Sequence, residues 1–106
     1  MEKKYDLIVY GASGFTGQLI CKYLSSHKDI LNLNWAIAGR DLAKLELLSN
    51  QLSTENRTID VLYADSFDKK SLNDIASQSK LIITTVGPYA IYGEQLVESC
   101  IENQTF

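Results

Sequence analysis

The chain has 106 residues, of which 45% are hydrophobic and 22% are charged, and its formal net charge is −3. This composition is typical of one globular domain, and the acidic balance argues against nucleic-acid binding, which generally uses a basic face. No apolar run approaches the roughly 18–20 residues of a membrane-spanning helix, so the sequence predicts no transmembrane segment.

The two cysteines, Cys21 and Cys100, are far apart, and neither belongs to a C-x-x-C pair. Both fall in apolar helical patterns, where a cysteine usually behaves as a small buried hydrophobic residue. We therefore expect two reduced, buried thiols and a cytoplasmic protein.

A glycine-rich turn joins the first predicted strand, residues 5–10, to a predicted helix over residues 15–27. Gly11 allows the chain to reverse, Gly14 leaves room for a pyrophosphate, and Gly17 lets the helix approach the sheet. Unpaired N–H groups and the positive end of the helix dipole bind an anion at such a turn. The spacing is G-x-x-G-x-x-G rather than G-x-G-x-x-G, but the strand-to-helix context favours a dinucleotide-binding turn over a purely structural one.

Two hydroxyl side chains in this turn, those of Ser13 and Thr16, are expected to donate to the same phosphates. The helix that follows carries an apolar stripe, which predicts the face that packs on the sheet. Its members are Phe15, Leu19, Ile20, Tyr23 and Leu24.

The alternation of strand and helix continues through the chain. Strands are predicted over residues 35–39, 59–64 and 80–86, and helices over residues 42–52, from about 69, and over 92–102. Asp41 and Asp68 are expected to cap the second and third helices. The predicted buried helix faces comprise Leu42, Leu45, Leu48 and Leu52, then Leu72, Ile75 and Ala76, then Tyr92, Leu96, Val97, Cys100 and Ile101.

Four strands alternating with helices predict an α/β fold, a Rossmann-type doubly wound parallel sheet with the strand order 3-2-1-4. Ligands bind such sheets at the carboxyl ends of the strands, beside the switch point between strands one and four. The second half of a dinucleotide fold is missing, so residues 1–106 are interpreted as the N-terminal part of a longer protein that continues with a fifth strand. The alternative, a complete mononucleotide module, leaves the fourth strand as an exposed apolar edge through which copies of the chain could associate.

The end of the second strand indicates which dinucleotide is preferred. An NAD-binding domain usually places an acid there for the ribose 2′-OH, whereas this strand ends at Arg40, whose guanidinium suits a 2′-phosphate. The sequence therefore favours NADP, and NAD remains the alternative because Asp41 is able to serve a ribose instead of capping a helix. Asp65, after the third strand, either accepts from the adenine amino group or serves only as a turn residue.

The end of the fourth strand is expected to lie beside the nicotinamide ribose. There, Gly87 allows a close approach, Pro88 stiffens the turn, and Val86 closes the strand. Tyr89 and Tyr92 are weak catalytic candidates, since a tyrosine at a helix start is more often a packing residue. The sequence contains no paired carboxylates, metal-ligand cluster or Tyr-x-x-x-Lys pair, so the catalytic residues stay unknown and no metal site is predicted.

Three motifs in order, residues 5–17, residues 35–40 and residues 84–94, resemble the N-terminal domain of the saccharopine dehydrogenase-like oxidoreductases, a group that includes trans-acting enoyl reductases. The resemblance covers essentially the whole chain and implies the cofactor-binding part of an NAD(P)-dependent oxidoreductase whose substrate, a small molecule or an acyl group, is not identified. The residues it implies at the phosphates are Gly11, Ser13, Gly14, Phe15, Thr16 and Gly17, with Arg40 at the adenosine ribose and Val86, Gly87 and Pro88 near the nicotinamide.

Two other classes share a similar glycine turn. One is an NmrA-like module that binds NADP as a redox sensor without turnover. The other is the group of acyl-phosphate and semialdehyde reductases, which need a nucleophilic cysteine in a later domain; neither Cys21 nor Cys100 is placed for that role.

Overall fold

The computed structural model describes residues 3–26, 34–53, 58–84, 99–103 and residue 105. Within these residues, strands alternate with helices along the chain, as the hydrophobic pattern predicts. The elements are β1 (Leu7–Tyr10), α1 (Phe15–Ser26), β2 (Trp35–Gly39), α2 (Leu42–Leu52), β3 (Asp60–Tyr63), α3 (Lys69–Gln78) and β4 (Ile82–Thr84). Residues 99–102 are also helical.

All four strands are parallel and lie in the order β3-β2-β1-β4, so the predicted topology is confirmed. Val9 at the centre of the sheet is in register with Ile37 of β2 and Ile83 of β4. Every residue of β1 and β2 is buried, which explains why these strands are continuously apolar rather than alternating.

Helices cover both faces of the sheet, so the fold is doubly wound as expected. One face packs on α1 and α2, and its buried residues are Leu7, Val9, Ala12, Cys21, Leu24, Trp35, Ile37, Leu45, Leu48, Leu52 and Ile59. The other face packs on α3, and its buried residues are Tyr5, Ile8, Tyr10, Ala36, Ala38, Ala64, Leu72 and Ile75. The even and odd residues of β1 and β2 therefore enter different cores.

The predicted bounds of the elements are right in position and too long at the strand ends. Tyr5 forms an isolated parallel bridge with Ser79 instead of extending β1. β3 begins at Asp60 and ends at Tyr63, although the Ala64 N–H still donates to the Gly39 carbonyl at 2.9 Å. β4 begins at Ile82, and the last predicted residues of this strand, 85 and 86, lie outside the described residues, as does residue 27 of the first predicted helix.

The predicted buried stripe of α1 is right at one edge and wrong at the other. Leu24 is buried as predicted, but Phe15, Leu19 and Tyr23 are 82%, 53% and 61% exposed. The helix buries Gly17 and Cys21 in their place. Ile20 is partly buried at the border of this face. The close packing of Gly17 against the preceding turn determines which side of α1 faces inward. Phe15 and Leu19 are each two positions from Gly17, so they point about 200° away from it around the helix axis and lie on the outer side.

The other predicted helix faces are largely confirmed. Leu45, Leu48 and Leu52 of α2 are buried, but Leu42 in the first turn is 45% exposed. Ile101, predicted to be buried in the last helix, is 73% exposed. The other residues are distributed as follows: Leu72, Ile75 and Ala76 are buried, Cys100 is half-buried, and Tyr92, Leu96 and Val97 lie outside the described residues.

Both predicted helix caps are present. The Asp41 side chain accepts from the Lys44 N–H at the start of α2, and the Asp68 side chain accepts from the Ser71 N–H at the start of α3. These contacts satisfy backbone donors that have no partner within the helix. In the part of the chain that the structure describes, no helix has the length and apolar character needed to cross a membrane.

Candidate functional site

The glycine turn lies at the carboxyl end of β1 and starts with a left-handed residue. Gly11 has a φ of 84°, a conformation that a residue with a Cβ adopts only with strain. Its N–H donates to the Ala38 carbonyl at 2.9 Å, and its own carbonyl accepts from the Gly14 N–H at 3.1 Å. The reversal predicted for Gly11 is thus present, and it directs the following residues across the end of the sheet.

The other two glycines differ in how much space surrounds them. A Cβ on Gly17 would lie 2.7 Å from Ala12 Cα and would also collide with the Gly11 carbonyl oxygen. A Cβ on Gly14 would have an ordinary 3.5 Å contact with that oxygen, and Gly14 is exposed. Gly17 therefore permits the contact of α1 with the turn, whereas Gly14 leaves the outer surface of the turn open to a ligand.

The turn holds several backbone donors at the start of α1. No acceptor among residues 3–26, 34–53 and 58–84 takes up the N–H groups of Ser13, Phe15 or Thr16, and the first turn of α1 contains no acidic residue. Donors at a helix start, together with the helix dipole, stabilise an anion. The geometry fits the pyrophosphate of a dinucleotide. Because Gly17 has no Cβ to collide with the turn, α1 starts close to it and these amides lie next to one another.

Gln18 is a residue of this turn that sequence reasoning missed. Its Nε2 donates to the Ser13 carbonyl at 2.8 Å, and its backbone N–H donates to the Gly14 carbonyl at 2.9 Å. The side chain therefore holds the Ser13 peptide with its carbonyl toward the helix. No local pattern distinguishes such a glutamine from one on a solvated helix face, so the sequence offered no signal for it.

The end of β2 presents an exposed cation. Arg40 directly follows this strand and is exposed, and no hydrogen bond or ion pair to it occurs within the described ranges. Asp41, the residue able to serve a ribose, is instead bound to Lys44: its Oδ1 accepts from the backbone N–H at 3.2 Å and its Oδ2 lies 4.0 Å from Nζ. The guanidinium is therefore the available polar group at this strand end.

The end of β3 is a tight turn organised by Asp65. The Oδ1 atom of Asp65 accepts from the Phe67 N–H at 3.0 Å, and its carbonyl accepts from the Asp68 N–H at 2.9 Å. The Asp65 N–H donates to Ser71 Oγ at 3.0 Å. Asp65 is thus a turn residue, and its second carboxylate oxygen, Oδ2, has no partner among the described residues.

A buried pair of hydroxyl groups connects the glycine turn to the β3 turn. The Tyr10 and Ser66 hydroxyl oxygens are 2.6 Å apart, and both residues are more than nine-tenths buried. Burial raises the pKa of the Tyr10 hydroxyl, with the Ser66 hydrogen bond opposing the shift. Among the smaller influences on this pKa, the charges of Asp65 and Tyr63 raise it and the charge of Arg40 lowers it. The sequence carries no signal of this contact, because tyrosine and serine are common packing and turn residues.

The structure thus brings the predicted phosphate and adenosine residues to the ends of three adjacent strands. The predicted nicotinamide residues, Val86, Gly87 and Pro88, lie outside the described residues, as do Tyr89 and Tyr92. Across the described ranges, no group of three or more His, Cys, Asp or Glu residues could hold a metal ion.

Neither thiol is activated. Burial raises the pKa of the Cys21 thiol to about 12, and burial is also the main cause of the raised pKa of Cys100. A thiol acts as a nucleophile in its deprotonated form, so Cys21 is a packing residue and is excluded as a nucleophile in this state.

The fold is that of a dinucleotide-binding domain. It combines a parallel doubly wound sheet with a left-handed glycine turn at the switch point and with amides at a helix start that are open to a ligand. The chain belongs to the family described as the saccharopine dehydrogenase NADP binding domain, whose model matches residues 7–106. The cofactor is therefore a nicotinamide dinucleotide, and the resemblance identified from the three motifs is confirmed.

Individual proteins agree with this assignment. A lipid droplet localized protein of Caenorhabditis elegans is 42% identical over 104 residues, which cover 94% of this chain and 24% of that protein. A saccharopine dehydrogenase-like oxidoreductase of Mus musculus is 34% identical over 114 residues, covering 98% and 27%. The chain thus spans about a quarter of the length of these relatives.

Among solved structures, the apo saccharopine dehydrogenase (L-Glu forming) of Saccharomyces cerevisiae superimposes with a TM-score of 0.75 at 22% identity. The match covers 95% of this chain and 20% of that protein. At this identity the likeness concerns the fold.

Proposed function

We propose that the chain binds NADP(H), in preference to NAD(H), and supplies the cofactor-binding part of an oxidoreductase. The observation that carries the preference is the exposed Arg40 at the end of β2, beside an Asp41 that is committed to capping α2. A guanidinium pairs with a phosphate through two parallel hydrogen bonds, while an NAD-specific site needs an acceptor for the ribose 2′-OH. The carboxylate that directly follows Arg40, that of Asp41, already has its own partners.

The proposed arrangement assigns the phosphates and the adenosine half of the cofactor to described residues. The N–H groups of Ser13, Phe15 and Thr16 hold the pyrophosphate, with the Ser13 and Thr16 hydroxyls as further donors. Arg40 holds the 2′-phosphate, and the free Oδ2 of Asp65 accepts from the adenine amino group. The nicotinamide, when bound, gives or accepts the hydride; the resemblance to the family assigns Val86, Gly87 and Pro88 to its surroundings.

The length of the relatives supports a larger context for this domain. We propose that residues 1–106 form the N-terminal part of a longer oxidoreductase in which additional residues bind the substrate and complete hydride transfer. β4 lies at one edge of the sheet, where a further strand or a second copy of the chain could pair with it. A cytoplasmic location stays a prediction, and the C. elegans relative makes the surface of lipid droplets a specific alternative.

Titration of the chain with NADPH and with NADH, followed by nicotinamide fluorescence, tests the proposal. Tighter binding of NADPH is expected. Replacement of Arg40 by Gln should lower the affinity for NADPH about tenfold or more, since a hydrogen bond to a charged group contributes about 1.5–3 kcal/mol. The affinity for NADH should stay nearly unchanged.

Lys44→Gln is the matched control, because it removes an exposed cation four residues away that is paired with Asp41. An equal loss of NADPH affinity in Arg40→Gln and Lys44→Gln would mean that Arg40 acts only through its positive charge and not through a contact with the 2′-phosphate. Tighter binding of NADH by the unmodified chain would contradict the NADP assignment, and binding without turnover by the full-length protein would indicate an NmrA-like sensor.

A further inference from the structure

The Tyr10–Ser66 pair occupies a position that the proposed cofactor contacts leave unexplained. Tyr10 is the last residue of β1 and immediately precedes Gly11 of the phosphate turn. Ser66 directly follows Asp65, in the turn after β3. The 2.6 Å contact of their hydroxyls is therefore a side-chain connection between the phosphate end and the adenosine end of the proposed site.

The pair is strongly held in place. Tyr10 is 3% exposed and Ser66 is 6% exposed, so removing either hydroxyl takes away a buried hydrogen bond that water does not readily replace. Leaving a buried polar group unpaired is more unfavourable than losing the hydrogen bond alone. The hydrogen bond consequently favours the observed position of the turn after β3 relative to the end of β1.

The backbone of the β3 turn transmits this position to Asp65. Asp65 is fixed within the turn by the contacts of its Oδ1 with the Phe67 N–H and of its carbonyl with the Asp68 N–H. The turn therefore moves as one unit, and a shift of Ser66 displaces the free Oδ2 of Asp65. The buried anchor of this unit on β1 is the Tyr10 hydroxyl.

We propose that Tyr10 and Ser66 are positioning residues for the adenosine half of the cofactor. Their hydrogen bond sets the distance between the phosphate-binding amides and the Asp65 carboxylate. The inference rests on the proposed function, since it assumes that a dinucleotide spans these strand ends. Neither residue touches the cofactor in this scheme.

Tyr5 offers a matched control. Its hydroxyl donates to Asp60 Oδ2 at the same distance, 2.6 Å, and its ring is equally buried. This contact lies near the amino end of β3, away from the glycine turn. Tyr5→Phe therefore removes the same chemical group from a buried ring, but at a contact with the exposed Asp60 and away from the site.

The experiment measures the affinity of the full chain for adenosine 2′,5′-bisphosphate and for NADPH by calorimetry. Tyr10→Phe and Ser66→Ala should each raise both dissociation constants about fivefold, which corresponds to about 1 kcal/mol for a hydrogen bond. The double variant should lose no more than either single variant, because the two share one interaction. Tyr5→Phe should bind as the unmodified chain does.

A spectroscopic readout separates positioning from general loosening. The Phe67 amide resonance should shift in the ligand-free Tyr10→Phe chain, because its N–H donates to Asp65 within the same turn, and should keep its position in Tyr5→Phe. If Tyr10→Phe fails to fold, the affinity of Ser66→Ala for the two nucleotides carries the test.

Unchanged affinity in Tyr10→Phe, or an equal loss in Tyr5→Phe, would overturn the inference while leaving the proposed function intact. Failure of the unmodified chain to bind either nucleotide would overturn the proposed function together with the inference.

Discussion

Alanine replacements of Gly14 and Gly17 should have opposite consequences, although both glycines belong to the same turn. In Gly17→Ala the new Cβ would lie 2.7 Å from Ala12 Cα, whereas carbon atoms pack at about 3.5–4.0 Å. The turn or the helix must therefore move by about 1 Å. Overpacking of this kind destabilises by about 1–3 kcal/mol, which exceeds the roughly 1 kcal/mol that alanine gains over glycine inside a helix.

Gly14→Ala places its Cβ at an ordinary 3.5 Å from the Gly11 carbonyl oxygen. The free energy of unfolding should then stay within about 1 kcal/mol of the unmodified chain, because the new methyl group has room and alanine lowers the entropy of the unfolded chain. The methyl group nevertheless stands on the open surface of the turn, so the dissociation constant for NADPH should rise about tenfold or more.

The assay combines urea unfolding with nucleotide titration. Trp35 is the single tryptophan and is 3% exposed, so its fluorescence reports unfolding. Gly17→Ala should lose both stability and affinity, and Gly14→Ala should lose affinity alone. A fully stable Gly17→Ala chain, or unchanged NADPH binding by Gly14→Ala, would refute the assignment of the two glycines.

The Asn34 N–H, followed by Lys80, holds the pKa of Asp6 below its usual value. Asp6 therefore stabilises the fold above about pH 4, and this contribution is lost as the pH falls through the lowered pKa. In urea unfolding at pH 3–7, Asp6→Asn should remove an acid-sensitive contribution of less than about 1 kcal/mol; the same pH dependence in both chains would count against the contact. Cys21 should resist a thiol reagent at pH 8 until the chain is unfolded in urea; rapid labelling of the folded chain would contradict its burial. Leu19→Lys on the exposed side of α1 should change stability by less than about 0.5 kcal/mol, and a loss of several kcal/mol would restore the stripe predicted from the sequence.

The sheet was predictable because two independent sequence patterns, the apolar runs and the alternation with helices, indicate it. β1 and β2 are buried on both faces, so their apolar runs were visible without any knowledge of partners, and the alternation with helices then determined a parallel order. Asp41 and Asp68 were predictable for a different reason. Capping involves only an aspartate and a backbone N–H three residues later, so it depends on neighbouring residues alone.

The orientation of α1 was not predictable from hydrophobicity. A count of apolar residues gives no weight to a glycine, yet Gly17 lies too close to Ala12 to carry a Cβ, and with Gly17 on the inner side Phe15 and Leu19 are exposed. Contacts between distant strand ends were likewise invisible. Tyr10 and Ser66 are 56 residues apart, and no local pattern relates them. The individual glycines were therefore identified from the sequence, while the residues that hold the site together required the structure.

The measurement that tests the account most directly is the amide NMR spectrum of the labelled chain during titration with NADP⁺. The largest shifts are expected at residues 11–17 and at Arg40, with smaller shifts through Asp65–Phe67, and the NADP⁺ effects at Arg40 should exceed those produced by NAD⁺. Shifts confined to the amino ends of the strands, or no saturable change at the glycine turn, would contradict nucleotide binding at this edge of the sheet.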